Sequence, residues 1–258
     1  MLRLWFIAPV VMSVFCGHKT DGATTTGTAQ TLDCTTEMNE LRKAAGLSEF
    51  EKASKETEVL PEYPGPTKTI SAENLWKQTC QKLMGEDVQI TEAASLVGTV
   101  AHYAGAKDCK EAVQYWKDGF SLFKNELPPK YTALGEPEIY TDRAVSFVAL
   151  YNPKASPVAS CVLVTCTKGA AVDDAEERSR RHDSPPLRRL QDGAQTKTAV
   201  ICLTNPDALT SGTAPFEEDE WQKIVDAIVG LEESSRASPI SPSLAVGFIV
   251  TIFAHGLL

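Results

Sequence analysis

Hydrophobic residues recur at helical spacing in three stretches of the first half of the chain. Their apolar positions are Cys34, Met38, Leu41 and Ala45 in the first stretch, Leu75, Trp76, Thr79, Cys80 and Leu83 in the second, and Ala112, Tyr115, Trp116, Phe120 and Phe123 in the third. Gly46 follows the first stretch, and Ser71 and Asp108 stand where N-caps of the second and third are expected. The pattern therefore predicts three helices, each with one buried side.

Two further helices are predicted by the same reasoning. Residues 91–102 favour a shorter helix, and residues 217–231 an amphipathic one. The buried side of the latter carries Trp221, Ile224, Val225, Ile228 and Leu231. The aromatic side chains of the third stretch above lie at helical spacing, so we interpret them as core rather than as a ligand site.

The hydrophobic pattern changes in the second half of the chain. Residues 144–151, 159–167 and 198–204 are short apolar runs, and Asn-Pro follows the first and the third. They predict the central strands of a small, mostly antiparallel sheet, buried on both faces by the helices. Residues 168–197 show no apolar period and predict a mobile insertion between two strands. Its arginines leave two functions open, a protease-processing site and a patch for sulfated glycans, although a solvated loop explains the composition by itself.

The residues before the first helix are polar and rich in threonine. Residues 20–31 read TDGATTTGTAQT and contain little that could be buried. We interpret residues 17–32 as a flexible leader and residues 33–231 as a single α+β domain.

Both ends of the chain are apolar. Residues 4–15 follow Arg3 and predict a secretory signal peptide over residues 1–16. Residues 244–258 would rise about 22 Å as a helix, less than the roughly 30 Å of a hydrocarbon core. The small polar residues before this tail predict a glycolipid (GPI) attachment signal over residues 232–258, removed after about residue 235. Ser235, with Ala237 two places on, is the expected attachment residue; Ser234 and Ser238 stay open, as do a buried terminal helix and a tail anchor.

Charge and cysteine content fit an extracellular domain. The formal net charge is −9, and the two predicted cleavages remove two arginines and no acid. Such an acidic chain is not built to bind nucleic acid or an anionic membrane surface. Cleavage after Cys16 leaves an even number of cysteines, which predicts three disulfides. The remaining cysteines are Cys34, Cys80, Cys109, Cys161, Cys166 and Cys202, and the sequence does not determine which of them pair. On a strand, Cys161 and Cys166 would point to opposite faces and reach different partners.

Six stretches of the chain carry a resemblance to a known family. They are CTTEMNELRKAAGLSEF (34–50), ENLWKQTC (73–80), DCKEAVQYWKDGFSLF (108–123), AVSFVALYNP (144–153), SCVLVTC (160–166) and AVICLTNPDAL (199–209). The sequence resembles the surface-antigen (SAG) family of Eimeria-type coccidian parasites over nearly the whole mature chain. The resemblance implies GPI-anchored proteins on sporozoite or merozoite surfaces, which mediate host-cell attachment and are recognised by host antibody.

The resemblance also implies a core like that of the cysteine-rich secretory and pathogenesis-related (CAP) superfamily, a disulfide-braced α-β-α sandwich. Many CAP proteins bind a divalent metal through two histidines, one of which opens a strand. The matching strand here would be 146–150, with Ser146 at the histidine position. This departure argues against the metal site.

The other candidates for catalysis are few. Of the four histidines, we expect the fold to hold only His102, beside Tyr103, and we interpret it as structural. The carboxylates Glu136, Glu138 and Asp142 could pair for glycoside hydrolysis but are interpreted as solvated. The cysteines are expected to be oxidised and therefore not nucleophilic. We predict no catalytic, cofactor-binding or metal-binding residue.

Two functional hypotheses follow from the sequence. The first is a nonenzymatic, GPI-anchored antigen on the outer leaflet of the plasma membrane, which contacts a host-cell surface protein or glycan and meets host antibody. Under this hypothesis, the protein is attached to the membrane through the GPI lipid only. The alternative is a CAP-like secreted domain that binds a small lipid or sterol or retains weak hydrolase activity.

Overall fold

The computed structural model describes residues 24–66, 70–169 and 194–236, with side chains up to residue 230. The strands are β1 (Thr25–Leu32), β2 (Glu51–Lys52), β3 (Thr99–Ala104), β4 (Val158–Lys168) and β5 (Gln195–Asn205). The α-helices are α1 (Thr35–Ala44), α2 (Ala72–Leu83), α3 (Cys109–Lys117), α4 (Asp142–Leu150) and α5 (Glu218–Arg236). Short 3-10 helices cover Glu56–Glu58, Thr91–Ser95 and Asp118–Phe123.

The strands form one mostly antiparallel sheet. Its order is β1-β4-β5-β3, and β2 pairs in parallel with β4 beyond the main path. The strands β4 and β5 occupy the centre, which confirms the strands predicted over 159–167 and 198–204. The sheet therefore has β1 and β3 at its two sides.

Helices cover the sheet on both faces, as predicted. Helices α1, α3, α4 and α5 share one hydrophobic core with the first face, in which Trp116, Phe147 and Trp221 are buried. Helix α2 packs on the second face, where Trp76 and Val162 are buried. The domain is thus α+β with three layers.

The predicted caps explain where the helices begin. The Ser71 hydroxyl accepts a hydrogen bond from the Asn74 backbone N–H at 3.4 Å. The Asp108 carboxylate accepts one from the Glu111 N–H at 2.9 Å. Such caps satisfy backbone donors that a helix start leaves free. The helices predicted from the three apolar stretches are confirmed as α1, α2 and α3, although the last part of the third stretch, Asp118–Phe123, is a 3-10 helix. The last predicted helix is confirmed as α5.

The prediction of a strand over residues 144–151 is wrong, because these residues belong to α4. The helix begins at Thr141, whose hydroxyl accepts a hydrogen bond from the Ala144 N–H at 3.4 Å. Most of its side chains are buried, so the sequence shows neither a helical nor a strand period. The threonine cap followed by Asp142 is the local signal that favours a helix.

The helix predicted over residues 91–102 is also wrong. A single 3-10 turn covers Thr91–Ser95, and the chain then enters β3, which pairs with β5. Gly98 separates the two with a φ of 129°, a backbone angle that L side chains rarely adopt. The alternation of buried Thr99 and Ala101 with exposed Val100 is typical of a strand.

The flexible leader predicted over residues 17–32 is wrong for its second part, since residues 25–32 form β1. This strand pairs with β4 along its whole length. Its buried side consists of small or short side chains, with Thr25, Gly27 and Ala29 inward. Threonine favours strands and its exposed copies make the segment look unstructured in sequence. Residues 17–23 lie outside the described part of the chain.

Replacement of Gly27 by threonine should destabilise the domain, although the neighbouring residues are threonines. A Cβ at this position would lie 2.6 Å from the Cys80 Sγ and 2.7 Å from the Trp76 carbonyl oxygen. Such overpacking costs about 1 to 3 kcal/mol. Denaturant unfolding measures the loss, with Thr28→Val on the exposed side of β1 as the control that should change little. Equal stability of both variants would show that β1 does not pack on α2.

The remaining predictions concern the chain ends and the insertion. Strand β4 continues to Lys168 and β5 begins at Gln195, so both ends of the predicted insertion are strand. Its other residues, 170–193, the signal peptide over 1–16 and the tail from 237 lie outside the described residues. Ser235 lies within the described backbone of α5. Among the described residues, none of the helices has the length and apolar character needed to span a bilayer.

Candidate functional site

The six cysteines of the domain form three disulfides, as predicted from their even number. Cys34 before α1 pairs with Cys109 at the start of α3, Cys80 of α2 with Cys166 of β4, and Cys161 of β4 with Cys202 of β5. Cys161 and Cys166 lie in different core clusters, which confirms that they face opposite sides of the sheet. The disulfides thus join α1 to α3 within the first helical layer, α2 of the second layer to the sheet, and the two central strands to each other.

Two of these disulfides lie against each other. The Sγ atoms of Cys34, Cys161 and Cys202 lie within 4.8 Å of one another, and all three residues are buried. Three clustered sulfur atoms resemble a metal site, but each is bonded to another sulfur. Metal binding needs the thiolate, so the cluster as it stands offers no metal ligand.

This proximity predicts disulfide exchange when Cys109 is replaced by serine. The freed Cys34 thiolate would attack the sulfur of Cys161 or Cys202, form a new disulfide and release the other cysteine as a thiolate. Peptide mapping after acid quenching and alkylation should find the alkylated thiol distributed among these three positions. Cys34→Ser is the matched control. It leaves a free thiol on Cys109, which lies outside the cluster, so the alkylated residue should be Cys109 alone. A thiol found only at Cys34 in the Cys109→Ser variant would contradict the expected exchange.

Ser146, expected at the head of a CAP-like strand, lies inside α4 and is fully buried. Its hydroxyl accepts a hydrogen bond from the His102 backbone N–H at 3.1 Å and donates one to the Asp142 carbonyl at 2.7 Å. Ser146 thus satisfies a backbone donor on β3, the strand at the side of the sheet. The match of this segment to the CAP histidine strand is wrong, because Ser146 is buried within a helix.

Of the other residues considered for catalysis, His102 and Asp142 are joined through their backbone groups, which both hydrogen-bond the Ser146 hydroxyl. His102 is half-buried in β3. Glu136 and Glu138 are exposed in the loop before α4, as predicted, and exposed Asp142 lies in the first turn of that helix. The helix dipole favours a carboxylate at a helix N-terminus, so Asp142 stabilises the start of α4.

The depressions of the described surface include two that can be compared with ligand pockets. One, of about 390 Å³, is open and lies between the end of α1 and α5, beside Gly46 and Lys223. The other, of about 130 Å³, lies beside Cys34 and Cys161. Pockets for small-molecule ligands enclose roughly 300 to 1,000 Å³. The first has the volume but not the enclosure, and the second is too small for a sterol or fatty acid.

The smaller depression carries one ion pair at its rim. The Asp33 carboxylate lies 2.8 Å from the Lys52 Nζ. Hydrogen bonds from Lys52 and from Thr35 lower the pKa of Asp33 to about 2. A general acid near neutral pH needs the opposite shift, so this carboxylate is suited to holding the start of α1 rather than to proton transfer.

The aromatic stripe of the third helix is core, as predicted. Trp116 and Phe123 are buried, and Phe120 lies 5.6 Å from the Trp221 ring centroid. Phe147 contacts the same cluster from α4. Aromatic pairs at such distances stabilise a core beyond their buried area. These rings join α3, the 3-10 helix after it, α4 and α5 in one core, and the half-buried Tyr115 and Phe120 pack against it.

Arg42 is a central residue that the sequence analysis missed. It is fully buried, and its guanidinium donates to the carbonyl oxygens of Ser48, Leu150 and Asn152 at 2.7, 2.8 and 2.9 Å. Its charge also lies 4.0 Å above the Phe50 ring. Burial lowers the pKa of Arg42 to about 10, so it stays charged at neutral pH. Its position four residues after Met38, on the buried side of α1, was the available signal.

A family model described as "Sporozoite surface antigen (SAG) protein domain" matches residues 30–243. The chain is 42% identical to the "Sporulated oocyst TA4 antigen" of Eimeria tenella over 268 residues, which cover 100% of both chains. No solved structure matches the chain.

Proposed function

The chain belongs to the sporozoite surface antigen (SAG) family, and from this we propose that it is a nonenzymatic, GPI-anchored surface antigen that contributes to host-cell attachment. Family membership implies a surface or extracellular location. The proposed partners are a host-cell surface protein or glycan and host antibody. The observation that carries the proposal is the match of the family model to most of the chain, together with a domain held by three buried disulfides.

The disulfides support a working place outside the cytosol. Disulfides persist in oxidising compartments and are rare where thiol reductants are abundant. Five of the six cysteines are less than 5% exposed, and Cys109 is 5% exposed. A domain braced in this way keeps its shape on a cell surface, where it meets proteases and antibody.

The apolar ends support the lipid anchor. In the proposal, residues 1–16 are removed on secretion, and residues after Ser235 are exchanged for a glycolipid. Ser235 lies one residue before the described end of α5. The lipid would then follow the last helix directly and hold the domain close to the outer leaflet.

The CAP-like alternative receives less support. The helix-sheet-helix layering is the feature that favours a CAP-like sandwich. Against a CAP-type catalytic centre stand the buried, hydrogen-bonded Ser146 hydroxyl and the helical state of its segment. Neither depression described above could enclose a sterol. We therefore propose the attachment function over lipid binding or hydrolysis.

The test displays the full chain on cultured cells and treats them with phosphatidylinositol phospholipase C. Release of the protein, with loss of adhesion to host cells, is expected. The control replaces residues 237–258 with a transmembrane helix, which should keep both protein and adhesion after treatment. If the amount of native chain on the cells is the same with and without phospholipase treatment, the GPI anchor is rejected. If displaying cells adhere no better than untransfected cells, the attachment role is rejected.

A further inference from the structure

Six threonines form a regular array on one face of the sheet, at the end where the chain leaves β4. We name it the threonine grid, and its members are Thr26 and Thr28 of β1, Thr165 and Thr167 of β4, and Thr196 and Thr198 of β5. Strand register places Thr26 opposite Thr167 and Thr167 opposite Thr196. It also places Thr28, Thr165 and Thr198 in the next row. Residues opposite each other in paired strands share a face, so all six side chains point the same way.

The grid lies beyond the edge of the helical layer. The next row along the same face contains the exposed Gln30 of β1, followed by Leu163, Val200 and Tyr103, which belong to or pack against the larger core. Thr26, Thr28 and Thr196 are exposed, and the other three threonines are half-buried. On β4 and β5 the face therefore changes within one row from apolar and covered to hydroxylated and more open, whereas on β1 it stays polar and exposed.

The grid carries hydroxyls that the protein does not use. The Thr26 hydroxyl donates to the Thr167 carbonyl at 3.4 Å. Within the described residues, the hydroxyls of the other five threonines have no hydrogen-bond partner. By contrast, the Thr25 hydroxyl on the opposite face donates to the Glu86 carboxylate at 2.9 Å. The open face thus offers free donors and acceptors at fixed spacing.

The charged side chains of the same strands lie on the other face. Lys168 pairs with Glu86 at 3.1 Å, and the Lys197 Nζ donates to the Leu83 carbonyl at 2.9 Å. None of the six grid positions is charged, in a chain of which 23% is charged. Edge strands such as β1 often carry charge, which discourages pairing with other sheets. An uncharged grid cannot attract a sulfated or sialylated partner by charge.

The size of the grid decides between a protein and a smaller occupant. Three strands about 4.8 Å apart and two positions about 7 Å apart give a patch of roughly 10 by 7 Å between side-chain positions. A stable protein interface covers about 800 Å² on each partner and centres on large aromatic or arginine anchors. The grid has neither, but it matches the footprint of one or two sugar rings.

We propose that the threonine grid binds an uncharged oligosaccharide of the host-cell surface. The threonine hydroxyls donate to and accept from sugar hydroxyls, and the methyl groups contact the C–H faces of the rings. Each contact is weak, and many anchored copies on one cell supply the avidity. This inference rests on the proposed attachment function and names the partner for it.

The experiment uses cells that display the full chain, probed with multivalent polymers of neutral, sialylated and sulfated oligosaccharides. The row variant Thr28→Val/Thr165→Val/Thr198→Val removes three hydroxyls and keeps the side-chain shape and strand preference. The matched control is Thr31→Val/Thr57→Val/Thr132→Val, three exposed threonines outside the grid. Display level and thermal unfolding check the fold; if the row variant is not displayed, Thr26→Val/Thr28→Val on β1 takes its place.

We expect wild-type cells to bind at least one neutral polymer, the row variant to bind it at least about tenfold less, and the control within about twofold of wild type. Binding to charged polymers alone, no glycan binding, or neutral binding unchanged in the row variant would overturn the inference. Adhesion of the same cells to host cells separates the two proposals. Wild-type adhesion without grid-dependent glycan binding rejects the grid and keeps the attachment function, whereas absence of adhesion rejects the attachment function itself.

Discussion

Replacing Arg42 with methionine should lower the free energy of unfolding by at least about 3 kcal/mol. The guanidinium is the buried donor for the carbonyl oxygens of Ser48, Leu150 and Asn152. Methionine fills similar space but leaves these oxygens without their donors. The bonds to Leu150 and Asn152 are buried, and each buried, unsatisfied polar group costs about 1 to 3 kcal/mol. Leu150 ends α4 and Asn152 follows it, so the loss would loosen the end of the most buried helix.

Guanidinium unfolding of the oxidised domain measures this effect. The matched control is Lys43→Met, at the next residue of α1, whose side chain is 63% exposed and pairs with Glu49 at 3.1 Å. Exposed ion pairs contribute little, so this control should change stability by less than about 1 kcal/mol. A similar loss in both variants would mean that Arg42 acts through its charge on the helix surface and not through buried hydrogen bonds.

Removing the Cys80–Cys166 disulfide should cost about 4 kcal/mol. This bond joins α2 to β4 across 86 residues of sequence and is the disulfide that connects the second helical layer to the sheet. A cross-link lowers the entropy of the unfolded chain more when it closes a longer loop. The paired substitution Cys80→Ala/Cys166→Ala avoids a free thiol, and guanidinium unfolding gives the change.

The comparison is with Cys161→Ala/Cys202→Ala. That disulfide closes 41 residues and joins β4 and β5, which already pair along their whole length. Its removal should cost less than removal of Cys80–Cys166. If the cross-strand disulfide proved the more important of the two, loop closure would not be the main source of stabilisation.

Elements with a cap and one apolar side could be predicted from the sequence. Helices α1, α2 and α3 carry both signals, and β4 and β5 are β-branched runs that lie at the sheet centre. Helix α4 lacks a polar side because nearly all of it is buried, and a uniform apolar run suits a buried helix as well as a buried strand. Strand β1 was not predicted for the opposite reason. Its inward residues are small and its outward residues are polar, so the segment lacks the apolar alternation that indicates a strand.

The threonine grid, the cysteine pairing and the role of Arg42 could not be predicted from the sequence alone. The threonine grid draws on three segments that are far apart in sequence and become neighbours through strand register. The pairing of the cysteines depends on the same register, although their opposite faces on β4 were predictable. Arg42 was hidden because its burial depends on carbonyl oxygens from α4 and the loops around it, which sequence spacing does not place.

Intact-mass and peptide analysis of the protein purified from parasite membranes tests the central claim most directly. The account predicts a chain that starts after residue 16, ends at a serine modified with a glycolipid, Ser235 in our assignment, and contains six cysteines without free thiol. A native protein that retains residues 244–258, or whose cysteines are reduced, would contradict it.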